Sequence, residues 1–144
     1  MKLRVVELLI ITTVPAVVLA EGGFPDLGLL AWTLVGGTLA AGSANAFNMV
    51  IESERDALMK RTAKRPIVIG AVTRTQATIF AAAVGLLSLV IFYLFTTPLA
   101  TALTAVAILY YVVIYTIALK PNTSQNIVWG GAAGCMPVLI GWAA

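Results

Sequence analysis

Five apolar stretches, each close to the roughly 20 residues that a helix needs to cross a bilayer, fill most of this chain. They run approximately from Val5 to Ala20, Leu27 to Val50, Gln76 to Phe95, Leu99 to Leu119, and Ile127 to the end. They lack the regular apolar–polar alternation of membrane barrel strands. The expected fold class is therefore an all-α membrane protein, a transmembrane helical bundle of five spans forming a single domain over residues 1–144. A water-soluble domain is excluded: 60% of the residues are hydrophobic and only 10% charged, with a mean hydropathy of +1.00, too little polar surface for a domain of this size. The breaks have physical causes. Glu21-Gly22-Gly23-Phe24-Pro25 closes the first span, Thr96-Thr97-Pro98 separates the third from the fourth, and Lys120-Pro121-Asn122 stops the fourth. Pro15 and Pro137 fall inside spans, where neighbouring helices can satisfy the carbonyls they free.

The cations give the bundle a direction. Lys2 and Arg4 precede the first span, Arg55, Lys60, Arg61, Lys64, Arg65 and Arg74 lie between the second and third, and Lys120 lies between the fourth and fifth. With five spans all three places fall on one side of the membrane. The loops on the other side hold Glu21 and Asp26 and no cation. The positive-inside rule predicts that the N-terminus and the charged loop are cytoplasmic. An alternative reading takes Met1 to Ala20 as a signal peptide cleaved after Val18-Leu19-Ala20; Pro15 and Glu7 weigh against it, and its removal would leave four spans with the loop on the same side. Because the cations sit in short loops between apolar segments, they predict no nucleic-acid partner. Cys135 is the one cysteine, so there is no disulfide framework. The absence of histidine removes the commonest haem ligand and general base. The last span ends flush at Gly141-Trp142-Ala143-Ala144 with no polar tail, which reads as part of a longer protein.

The segment from Asn45 to Pro66 concentrates polar groups at the edge of the second span. Asn48, Glu52 and Asp56 follow an i, i+4, i+8 pattern. Each step of four residues turns only about 40°, so the three lie within a sector of about 80° that also takes in Asn45. Two carboxylates and one or two amides facing one way suit Mg²⁺, a hard cation whose shell is usually completed by water and substrate phosphates. The cations just beyond, Lys60, Arg61, Lys64 and Arg65, suit the same phosphates. Spacing alone leaves a second reading open: a helix end at the membrane interface, with topology charges and surface pairs such as Glu52 with Arg55 or Asp56 with Lys60. Two amides on the carboxylate face inside a bilayer favour the site, because they are costly if they only pack. Lys64 reads better as a snorkelling or headgroup-contacting lysine, and Glu54 points the other way, toward solvent.

Weaker signals complete the reading. Gly130 and Gly134 have a GxxxG spacing that predicts a close helix contact, and Gly36, Gly37 and Gly42 in the second span read as a close contact too. Trp32, Trp129 and Trp142 read as packing or interface residues. Gln125 and Asn126 open the fifth helix, as caps or as groups reaching toward the layer of Lys120.

The motif Asn48-x-x-x-Glu52-x-x-x-Asp56 resembles the first N-x-x-x-D-x-x-x-D motif of the UbiA-type intramembrane prenyltransferases. The longer string of Ser43-Ala-Asn-Ala-Phe-Asn-Met and Asp56-Ala-Leu-Met-Lys-Arg-Thr-Ala-Lys-Arg-Pro66 is similar to the haem O synthase (protohaem IX farnesyltransferase) branch of that family. The opening Lys2-Leu-Arg4-Val and the stretch Gln125-Asn-Ile-Val-Trp-Gly-Gly-Ala-Ala-Gly134 agree in order, so the resemblance covers essentially the whole chain. It implies the first half of a helical bundle of about nine spans and an enzyme of the bacterial inner membrane. That enzyme would transfer farnesyl from farnesyl diphosphate to a vinyl group of protohaem IX, with Mg²⁺ as cofactor and haem as substrate. By resemblance Asn48, Glu52 and Asp56 are the catalytic and metal residues, and Lys60, Arg61, Arg65 and Lys120 bind the diphosphate. Tyr115, one turn before Lys120, lies near that cation or at the interface. The implied partners are both substrates, the lipid bilayer, the second half of the fold and a haem A synthase. Other readings are a UbiA-type transferase with a quinone or other aromatic acceptor, which the Met59-x-Arg61-Thr62-x-x-Arg65-Pro66 run argues against, and a non-catalytic membrane remnant. Two departures matter. Glu52 stands where the family pattern has aspartate, and no carboxylate follows Asp56, so the family's second aspartate motif has no counterpart here.

Overall fold

The computed structural model describes residues 3–60, 62–120, 123 and 125–144. Five main helices stand at the five apolar stretches: α1 (Leu3–Glu21), α2 (Leu27–Ile51), α4 (Arg74–Phe95), α5 (Pro98–Leu109), which continues as a π-helix (Tyr110–Leu119), and α6 (Asn126–Ala143). A five-residue helix, α3 (Ser53–Ala57), extends α2 into the charged loop. The segments Leu27–Ile51, Arg74–Phe95 and Pro98–Leu119 are long and apolar enough to cross a membrane, while α1 and α6 hold the shorter apolar stretches Ile10–Glu21 and Val128–Ala143.

The caps explain the helix limits. Asp26 accepts from the Gly28 and Leu29 amides at 3.0 and 3.2 Å, so this acidic loop residue is the N-cap of α2. Thr73 and Gln76 form a reciprocal capping box, which starts α4 at Arg74, two residues ahead of its apolar stretch. Thr97 caps α5 with Pro98 at its first turn. Its hydroxyl also reaches the Ala143 carbonyl at the end of α6.

The tightest seam joins antiparallel α2 and α4. Ser43 Oγ donates to the Ala81 carbonyl and Ser88 Oγ to the Gly36 carbonyl, each at 2.7 Å, and all four residues are buried. Both bonds need close backbones, which the small side chains on either helix allow. A Cβ on Gly36 would sit 2.8 Å from the fully buried Phe92 ring, and one on Gly85 would sit 2.7 Å from Ser43 Oγ. Gly36→Ala is therefore expected to destabilise the protein by about 1–3 kcal/mol through overpacking. Ser88→Ala should cost only about 0.6 kcal/mol, a typical value for a hydrogen bond between membrane helices. Unfolding in mixed detergent micelles would compare the two, and a larger loss for Ser88→Ala would contradict the seam.

The remaining close approaches differ from the glycine pattern. Gly130 packs on the Tyr115 ring, where a Cβ would come within 2.9 Å, but nothing lies within 4 Å of such an atom at Gly134 or Gly42. The close approach of α6 to α1 falls instead at Gly141, against the Thr13 carbonyl and Ala16. The two helices run parallel there, with Thr13 Oγ1 donating to the Pro137 carbonyl at 3.4 Å. Trp32 stacks on Phe95 with ring centroids 4.1 Å apart, a packing role for the first tryptophan. Tyr115 faces α6 and Tyr111, whose ring centroid is 5.2 Å away.

Candidate functional site

α2 ends at Ile51, yet its helical register does not. The Glu52 amide donates to the Asn48 carbonyl at 3.0 Å and the Asp56 amide to the Glu52 carbonyl at 2.8 Å. Asn48, Glu52 and Asp56 thus stack one turn apart across the junction with α3. The column is largely shielded: the Asp56 side chain is 3% exposed and that of Glu52 11%.

Both carboxylates meet cations from other segments. Glu52 Oε1 pairs with Lys120 Nζ, just beyond the π-helix, and Asp56 Oδ2 pairs with Arg65 Nη1. The local surface pairs of Glu52 with Arg55 and Asp56 with Lys60 do not form; the carboxylates turn inward while Arg55 and Lys60 stay exposed. Lys64 is also exposed, and Arg61 lies outside the described residues. Glu54 is solvent-facing and pairs with Arg74 at 2.9 Å, an exposed bridge that contributes little to stability.

The loop after α3 is folded around Asp56. Buried Thr62 donates its hydroxyl to the Asp56 main-chain carbonyl at 2.8 Å, while Arg65 grips the side chain of the same residue. Turn bonds from Ala63 to Met59 (2.9 Å) and from Arg65 to Thr62 (3.0 Å) close the loop between them. Thr62 and Arg65 therefore form a clasp on Asp56.

The π-helix supplies the facing wall. Its residues run parallel to α2, and Thr116 Oγ1 lies 3.2 Å from Asn48 Oδ1, one turn before Lys120 meets Glu52. The same hydroxyl is 2.8 Å from the Tyr111 carbonyl, five residues back. Away from the charged end the wall opens onto a cavity of about 290 Å³ between α1, α2, α5 with its π-helix, and α6. Thr33, Ala41, Asn45, Tyr111, Gly134 and Pro137 are among its lining residues. Asn45 donates to the Ala41 carbonyl at 2.9 Å, so its amide is tied to its own helix. Gln125 is the N-cap residue of α6 without a side-chain capping bond, and the Asn126 side chain lies outside the described residues.

Of the seven site residues named from the sequence, Asn48, Glu52, Asp56, Arg65 and Lys120 come together; Lys60 is on the exposed side of the loop. Thr62 and Thr116 join them. Thr62 stands inside the cationic run that marks the site, a signal available from the sequence. Thr116 carries none, because only the π-helix brings it to Asn48. The donor set is two carboxylates and a carboxamide, and among the described residues no group of three or more His, Cys, Asp or Glu forms. Such a set fits Mg²⁺, which is held by one or two carboxylates plus substrate phosphates. It lacks the nitrogen and sulfur ligands that transition metals favour.

Comparison with known proteins shows the family. Residues 9–144 match the UbiA prenyltransferase family. The chain is 56% identical over 143 residues to a protoheme IX farnesyltransferase of Clavibacter michiganensis subsp. michiganensis, covering 99% of this chain and 47% of that protein. It is 55% identical to the protein of that name from Clavibacter sepedonicus, with the same coverage. With that of Renibacterium salmoninarum it shares 52% identity over 99% of this chain and 45% of the relative. The chain spans about half the length of these relatives. No solved structure matches it. A match across nearly the whole length, with the Asn48–Glu52–Asp56 column inside it, establishes that the chain belongs to the UbiA prenyltransferase family.

Proposed function

We propose that this chain forms the diphosphate-binding half of a farnesyltransferase that joins the farnesyl group of farnesyl diphosphate to a vinyl group of protohaem IX in the bacterial inner membrane. Its charged end faces the cytoplasm, as the placing of the cations in the sequence suggests. The observation that carries the reading is the column of Asn48, Glu52 and Asp56 meeting Lys120 and Arg65 beside an apolar cavity. The names of the relatives supply the substrates.

In this reading Glu52, Asp56 and Asn48 would hold Mg²⁺, which would supply positive charge to the departing diphosphate. Lys120 and Arg65, with Arg61 of the same cationic run, bind the diphosphate oxygens as negative charge builds on them. The cavity houses the apolar tail and keeps water from the allylic carbon while its C–O bond breaks. The vinyl π electrons then form the new C–C bond. The cation left on the adjoining carbon takes up water or loses a proton.

The test is a paired assay on membranes containing the natural protein, with farnesyl diphosphate and either protohaem IX or a quinone-type aromatic acceptor. A farnesylated porphyrin that forms with Mg²⁺ and disappears on chelation is the expected product. Farnesylation of the aromatic acceptor alone would overturn the assignment.

A further inference from the structure

We propose that the site is held shut by its own charges: in the free protein Lys120 and Arg65 occupy Glu52 and Asp56, so a divalent cation and a diphosphate bind well together and poorly apart. The inference rests on the reading of this end of the bundle as a metal–diphosphate site. It goes beyond that reading by stating what the site does before either ligand arrives.

The groups suited to a metal and the groups suited to a diphosphate are bound to each other, Glu52 Oε1 to Lys120 Nζ and Asp56 Oδ2 to Arg65 Nη1. Two negative and two positive charges cancel where the carboxylate side chains are only 11% and 3% exposed. A divalent cation entering alone finds both carboxylates neutralised and adds its charge beside two cations in a poorly solvated place. A diphosphate entering alone finds both cations committed, with two carboxylates behind them. When the two ligands arrive together, the cations pass to phosphate oxygens and the carboxylates to the metal. No shielded charge is then left without a counter-charge.

The two halves of each pair differ in freedom, and that decides which half moves. Glu52 and Asp56 are rooted in helical turns, through main-chain bonds that run from Asn48 to Glu52 and from Glu52 to Asp56. Lys120 caps the C-terminal end of the π-helix, and Arg65 lies in the loop after α3. Their side chains are 35% and 24% exposed, each more than its partner. Long side chains with partly solvated heads can swing without disturbing the backbone. The carboxylates are therefore the fixed partners and the cations the moving ones. The Glu54–Arg74 bridge joins the same kinds of group, but water screens it on the surface, so opening it offers neither ligand a shielded site.

The test uses the purified natural protein in lipid nanodiscs and gives each ligand by itself. Mn²⁺ is followed by electron paramagnetic resonance, and radiolabelled inorganic diphosphate by equilibrium dialysis with a chelator present. Lys120→Met frees Glu52, so Mn²⁺ affinity should rise about tenfold, within the usual range for coupling between two ligands, while diphosphate affinity falls. Glu52→Gln frees Lys120, so diphosphate affinity should rise about tenfold while Mn²⁺ affinity falls. A damaged fold would lose both ligands, so these opposite gains report release of the freed partner. Arg74→Gln is the control and should leave both affinities within about twofold of the parent. The proposal is overturned if Glu52→Gln binds diphosphate no tighter than the parent. It is equally overturned if Lys120→Met, with its thermal unfolding transition intact, binds Mn²⁺ no tighter. Failure of every form to bind either ligand would remove the metal–diphosphate site itself, and the proposal with it.

Discussion

Replacing Asp56 by Asn in the natural protein is expected, on the proposed function, to lower farnesyl transfer by roughly 10²- to 10³-fold, the scale for loss of one group that stabilises developing charge. Asp56 stands at the centre of the site in two senses. Its carboxylate, 3% exposed, meets Arg65, and its main-chain carbonyl takes the Thr62 hydroxyl. Asn keeps the size and the main-chain bond from Thr62, so that half of the clasp should persist, while the ion pair with Arg65 and the negative charge that attracts a divalent cation are gone. Arg65 then sits beside a neutral amide, free to hold diphosphate in an unproductive pose. The expected signature is a fall in kcat with little change in KM for farnesyl diphosphate. Glu54→Gln is the control, since that carboxylate is exposed and pairs only with Arg74; its activity should stay within about twofold of the parent, as for most surface changes. Comparable loss in the two variants would remove the distinction between the faces of α3.

The second large effect concerns Lys120. Lys120→Met should cost about 2–3 kcal/mol of stability, less than the ~3–5 kcal/mol for a fully buried pair, because the lysine side chain is 35% exposed. The cost comes mainly from Glu52, left 11% exposed without its counter-charge. Adding Glu52→Gln should recover most of that stability by removing the stranded charge, yet on the proposed function it should leave no farnesyl transfer, because diphosphate would lose a cation and the metal a ligand. Thermal unfolding in detergent together with the transfer assay would separate these outcomes. A double variant no more stable than Lys120→Met would mean that the Glu52–Lys120 pair is not what holds the π-helix end to α2.

How far the residue string could be read depended on whether a feature was local. The five helices follow from hydropathy and from Pro, Gly and Thr at their ends, all properties of short windows. The phase of Asn48, Glu52 and Asp56 was legible for the same reason, and it survives the break at Glu52 because main-chain bonds bridge it. Partner choice was not legible. The sequence offers Arg55 and Lys60 as neighbours of the carboxylates, but Arg55 on α3 and Lys60 in the turn after it stay exposed, and the bundle brings Arg65 and Lys120 instead. The π-helix was hidden altogether. Tyr110–Leu119 is an apolar run with nothing to mark a wider turn, and its register shows only where Thr116 and Lys120 face α2. The glycine pattern misled in part, because Gly134 has the right spacing and no close neighbour, while Gly141, outside any repeat, makes the contact with α1.

The serine bonds of the α2–α4 seam bear on the order in which the bundle is built. The contacts of that seam, from the Trp32–Phe95 stack to the Ser43–Ala81 bond, lie within residues 32–95, and both serine hydrogen bonds end on main-chain carbonyls. The hairpin can therefore lock as soon as its two helices share the bilayer, while the residues from 96 onward are still being synthesised. The charged loop, with Asp56 already clasped by Thr62 and Arg65, would be presented complete at the membrane edge. Lys120 and Thr116 would arrive later, as a lid docking onto a finished base.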